Sequence, residues 1–232
     1  MLTQSERLFL LRGDYMSETS FFLPDDAMDL LLQHNFSTQD FIKPKFLPRT
    51  ETAKSQVIWT PPSAETVSRM ISLTGLTSDD LGCVIGLSAK SVILYMLKKS
   101  QYPIKFTNWQ LLCKTALLAL QGYQPPRPDT YIFNAAEREC LTRYFDDVSL
   151  KYPIRADNGL FGVLLWHHAP SLEQVKYAMN YLSEQGYNVP KLMVEWNLDD
   201  RTVRRKKKEA DLDFSLFVIL CGLILSCEGL NE

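Results

Sequence analysis

The densest run of chemistry-bearing residues in this sequence is Asp200-Arg-Thr-Val-Arg-Arg-Lys-Lys-Lys-Glu209, with six cations among ten residues. On a helix, Arg201, Arg204, Arg205 and Lys208 share one broad face while Val203 points inward. Guanidinium and ammonium groups set out in this way neutralise phosphates and reach the acceptor edge of guanine. The chain as a whole carries a formal net charge of only -2 and has a pI near 6.0. Any attraction for nucleic acid must therefore be local to such a patch. A charged run is often no more than a solvated helix face. Here its place favours a binding role, because it follows Trp196-Asn197-Leu198-Asp199 directly. Asparagine tolerates a left-handed backbone, and Asp199 is a good helix cap. The candidate contact residues in this run are Asp200, Arg201, Thr202, Arg204, Arg205, Lys207 and Lys208.

A second, weaker candidate is Gly86-Leu-Ser-Ala-Lys-Ser-Val92. Gly86 can turn the chain at low cost. Leu87 can plug the angle between two helices, and Ser88 can cap the next one. Leu81, Ile85 and Val92 supply a small shared core. The first turn of that next helix carries Ala89, Lys90 and Ser91, with Leu94 one turn further. Lysine reaches guanine acceptors or phosphate, serine bonds either, and alanine touches a thymine methyl.

Other chemistry finds little support. His34, His167 and His168 show no zinc-ligand spacing with the cysteines. No glycine-rich phosphate loop is present, and nothing resembles a nucleophile beside its base. The acidic pairs at 25-26, 79-80, 146-147 and 199-200 mostly flank helix starts, where the backbone dipole accounts for several of them. No catalytic residue, metal or other cofactor is expected. The five cysteines are odd in number and include no Cys-x-x-Cys pair, which suits a reducing, cytoplasmic setting. No signal peptide is expected at the N-terminus. The apolar run Phe214 to Leu225 is too short to span a bilayer and reads as a buried helix, so no membrane role is expected.

The elements that must position these residues form a repeat. Pro62-Ser-Ala-Glu-Thr-Val67 and Pro170-Ser-Leu-Glu-Gln-Val175 share Pro-Ser-x-Glu-x-Val, a serine cap with a glutamate in the first turn. Apolar residues then recur at helical spacing as Val67, Met70 and Ile71, and as Val175, Ala178, Met179 and Leu182. Each first helix meets a glycine, Gly75 or Gly186, with three more residues before the second. Leu81, Leu87, Ser88 and Ser91-Val92 then match Leu192, Leu198, Asp199 and Thr202-Val203. Phe106, Trp109 and Leu112 fall opposite Phe217, Leu220 and Leu223. Each half is expected to hold four helices. They start near 63, 78, 89 and 107 in the first half, and near 171, 189, 200 and 214 in the second. Four segments follow: an N-terminal helical leader with a proline-marked linker (1–60), a first unit (61–123), a linker with a helix (124–169) and a second unit (170–232). Strands are expected to be short and peripheral, within 158–166. Trp109, Trp166 and Trp196 are expected to pack, and Trp59 to pin the linker to the first unit.

Thr77 to Val92 resembles the lambda-repressor/Cro-like helix-turn-helix family, most closely regulators carried by plasmids and other bacterial mobile elements. Pro62 to Glu65, Gly75 to Thr77, Gly86 to Ser88, and Pro103 to Trp109 with Leu111 and Leu112 behind it are the matching landmarks. They span roughly a quarter of the chain. The departures are Ser78, Leu81-Gly82, Ile93 and Tyr95. The resemblance implies an all-α fold with two tandem helix-turn-helix domains behind the leader. It also implies binding to double-stranded DNA and transcriptional repression as a dimer, so a homodimer is an expected form. The alternative is an adaptor that keeps the fold without using it on DNA. Its protein partner would dock on the leader helix from Asp25 to Gln33.

Overall fold

The computed structural model describes residues 25–48, 54–124, 126–155, 164–166 and 168–230. The N-terminal start, residues 156–163, which fall mostly in the region where strands are expected, His167 and the last two residues lie outside them. The described chain is mostly helical. The helices are α1 (Asp25–Gln33), α2 (Ala64–Thr74), α3 (Ser78–Ile85), α4 (Ala89–Met96), α5 (Phe106–Leu120), α6 (Ala135–Leu141), α7 (Leu172–Glu184), α8 (Val189–Trp196), α9 (Asp200–Glu209) and α10 (Phe214–Cys227).

The helix starts follow from their caps. Ser63 accepts the Thr66 N–H at 3.1 Å, and Ser171 accepts the Gln174 N–H at 3.2 Å while Gln174 bonds back to the Ser171 N–H at 2.8 Å. Thr77, Ser88, Asn188, Asp199 and Asp213 cap α3, α4, α8, α9 and α10 in the same way. The turns after α3 and α8 both use a left-handed residue, Gly86 at φ 73° and Asn197 at φ 49°. In each half the first helix packs on the third and fourth, and the second packs on the third and fourth.

The caps revise one part of the expected alignment. α2 and α7 begin at Ala64 and Leu172, and α5 and α10 begin at Phe106 and Phe214. Phe106 and Trp109 therefore correspond to Phe214 and Phe217, one turn earlier than Phe217 and Leu220. The reason is the connection before the last helix. It runs from Leu97 to Lys105 in the first half and from Ala210 to Asp213 in the second, five residues shorter; with α9 two residues longer than α4, this cancels the three residues gained before α8.

One apolar core runs through both halves, from Leu31 to Leu225. α5 packs against α10, and their first turns meet in a buried hydrogen bond between the Thr107 and Ser215 hydroxyls at 2.9 Å. α6 and the residues after it fill the groove beside α10. Phe145 meets Phe217 edge-on at 4.9 Å between ring centres, and Trp166 lies 4.8 Å from Phe217. Trp196 is buried in the core, and the Trp109 and Trp166 indoles donate to the carbonyls of Asp40 and Ser149. Trp59 stands edge-on to Phe106 at 5.1 Å, pinning the residues before α2.

Two expectations need correction. The stretch read as a linker contains an antiparallel pair, β1 (Lys45–Leu47) with β2 (Gln56–Ile58), in which Phe46 faces Val57. Its prolines, at 44, 48, 61 and 62, lie outside the strands, where they remove no ladder bond. β1 lies beside α8 of the second half. A second pair joins β3 (Ile154–Arg155) to β4 (Leu164–Leu165), with only β4 inside the region where strands were expected. Leader helix α1 packs into the body of the protein. Leu31 and Phe36 are buried, Arg69 donates to the Asn35 carbonyl at 2.8 Å, and α1 packs on α5.

Candidate nucleic-acid interface

The two helices that could enter a groove, α4 and α9, have opposite surroundings. α9 starts behind the Asn197 turn, where Asp199 accepts the Thr202 N–H at 2.9 Å and the Thr202 hydroxyl at 2.7 Å. The Thr202 hydroxyl, more than its N–H, holds the Asp199 carboxyl below its ordinary range, so the cap is ionised and complements the positive end of α9. Val203 is the one fully buried residue of the helix, and it roots α9 on α7 and α8. Arg201, Arg205 and Lys208 are exposed and have no ion-pair partner among the described residues. Arg204 is exposed too and bonds Asp200 at 2.9 Å through Nε.

Three side chains of the cluster are already occupied. Thr202 is half-buried in the cap. Lys206 folds back onto the carbonyl and carboxylate of Asp211, leaving its side chain 12% exposed. Lys207 reaches the Ser183 hydroxyl of α7 at 3.2 Å. The outward cations are thus Arg201, Arg204, Arg205 and Lys208, the same broad face that helical spacing predicts.

The first unit is different. Ala89 is 0% exposed, so it offers no methyl contact to a groove, contrary to expectation. Ser88 and Ser91 bond each other at 2.9 Å and are half-buried, as is Leu94. Lys90 alone among the five candidates is exposed. Two residues that the sequence did not single out close this region. Phe214 sits against Gly86, where an added Cβ would lie 3.4 Å from its ring. Arg155, whose side chain is 12% exposed, reaches Asp79 at 2.6 Å across the face of α3. Neither approach leaves a local signal, because both partners lie far along the chain from α3.

Gly82 explains a departure from the helix-turn-helix pattern. A Cβ there would lie 2.5 Å from the Leu87 carbonyl oxygen and 3.2 Å from Arg155 Nη2. The turn has closed onto α3 further than an alanine allows.

Among the described residues no group of three His, Cys, Asp or Glu could hold a metal ion. No helix there is long and apolar enough to cross a membrane by itself; α9 and α10 pass only as a pair, bent by 86°. No family model matches the chain, and no curated protein or solved structure matches it.

Proposed function

We propose that this chain is a sequence-specific double-stranded DNA-binding regulator of a bacterial mobile element, built from two tandem lambda-repressor-like helix-turn-helix units and read out chiefly through the second. The observation that carries this is the free cationic face of α9: Arg201, Arg205 and Lys208 stand exposed on a helix whose start is fixed by Asp199 and whose inner side is anchored by Val203. Such a face neutralises phosphates, and the residue nearest the helix start, Arg201, is the one placed to read guanine O6 and N7. The first unit contributes Lys90 and otherwise acts as the platform against which α10 is held. The expected form is cytoplasmic, without a cofactor and without catalysis, acting as a repressor; homodimerisation would repeat the α9 surface along the duplex.

Selection of bound sequences from a pool of random duplexes tests this reading. Enrichment of a defined motif that disappears on Arg201→Ala is expected. A pool that stays random under conditions where the folded protein is saturated would overturn it. The second reading, a protein-interaction adaptor, draws on the covered start of α4 and on the exposed side of α1, where a protein partner would dock. Absence of any duplex binding at low salt would favour it.

A further inference from the structure

The cationic surface of α9 continues past the face that would enter a groove. Between α7, the start of α8 and α9 lies an open cleft of about 450 Å³, lined by Lys176, Asn180, Val189, Arg204, Lys207 and Lys208. Four cations and a carboxamide converge there, and no carboxylate is among the lining residues. Lys176 and Asn180 lie one turn apart on the exposed side of α7, whose buried side is Val175, Ala178, Met179 and Leu182. Neither is needed for packing. Lys207 is drawn toward α7 by its bond to Ser183 at 3.2 Å, and the Arg204 bonds to Asp200 are made by Nε, leaving the Nη end of the fork uncommitted.

The cleft is shallow and has one apolar wall residue, Val189, so it is unlike the enclosed apolar pockets that hold small ligands. Its chemistry suits a compact oxyanion that stays partly in water. We propose that it seats one backbone phosphate of the DNA, on the strand that flanks the groove occupied by α9. The α7 residues then act as a clamp that fixes the angle of α9, contributing affinity and register but no base reading. This inference rests on the DNA-binding reading above.

The test is a titration of the full chain against a selected duplex and a random duplex at several salt concentrations, comparing wild type with Lys176→Gln and with Asn180→Asp. Both side chains are exposed, so melting temperatures are expected to stay at the wild-type value. Lys176→Gln is expected to weaken both duplexes equally and to reduce the log–log salt slope by about one. Asn180→Asp, which places a carboxylate in the seat, is expected to weaken both further. Wild-type affinity and slope in both variants would overturn the clamp while leaving the DNA reading standing. A change of sequence preference in Lys176→Gln would also overturn it, because a phosphate contact carries no base information. If wild type binds neither duplex, the DNA reading fails, and the clamp fails with it.

Discussion

Ala210 ends the basic helix in a left-handed conformation, φ 53°, with its N–H bonded to the Lys206 carbonyl. For a residue with a Cβ that conformation costs roughly 1–2 kcal/mol, part of which glycine returns as lost chain entropy. Ala210→Gly is therefore expected to stabilise the protein by about 0.5–1 kcal/mol in a denaturant melt. Gly82→Ala should do the opposite, because its Cβ would press on the Leu87 carbonyl, backbone that cannot rotate away. A loss of about 1–3 kcal/mol is expected, and unchanged stability would mean that the turn relaxes freely. Asn197 and the caps were legible as residue types, since asparagine, serine, threonine and aspartate serve those positions for local reasons. Ala210 and Gly82 were not legible in the same way. Alanine carries no signal for a left-handed turn, and the tight approach at Gly82 depends on where the next turn settles.

At the scale of elements, helix placement follows from periodicity and caps, and α3, α8 and α9 begin where the pattern puts them. The β1–β2 pair was hidden because its prolines read as a linker, although they only bracket it. The sequence alignment of the last helices is one turn off because Phe, Leu, Ile and Val recur in α10 at nearly every register, so composition cannot choose among them. α10 also carries a pH-sensitive fastening. Arg143, following α6, meets Glu228 at 2.8 Å, and Tyr144 donates to the same carboxylate at 3.1 Å. Arg143 first, then Tyr181 and Tyr144, hold the Glu228 carboxyl below its ordinary range, while burial pushes the Tyr144 phenol up to about 12. Because the folded value is depressed, the unfolded chain binds more protons in the window between the two. The fastening is thus fully present above the ordinary carboxylate range and is lost as pH falls through the folded value. Glu228→Gln should lower stability near neutrality and flatten the acid limb of a stability–pH curve measured by urea melts. An acid limb identical to wild type would remove Glu228 from that role.

Across the whole molecule, the two halves share a core instead of hanging on a tether, and this was the least legible feature of the sequence. A repeat suggests two separable beads; tertiary contacts join them, among them α5 on α10 with the Thr107–Ser215 bond, β1 beside α8, and Phe214 against Gly86. Phe214→Ala is expected to cost about 3–5 kcal/mol and to lower a single cooperative transition, seen alike by far-UV circular dichroism and tryptophan fluorescence. Two resolved transitions would show that the halves fold apart. The proposed division of labour between the halves has its own consequence: attraction for DNA would belong to α9, with Lys90 a minor contributor. The most direct measurement is the affinity of a folded Arg201→Ala, Arg204→Ala, Arg205→Ala variant for selected and random duplexes across several salt concentrations. Weakened binding to both, loss of preference for the selected duplex, and a log–log salt slope reduced by about 0.9 for each phosphate no longer neutralised are expected. Affinity, preference and slope that all remain at wild-type values would contradict this, leaving the cationic face of α9 a merely solvated one.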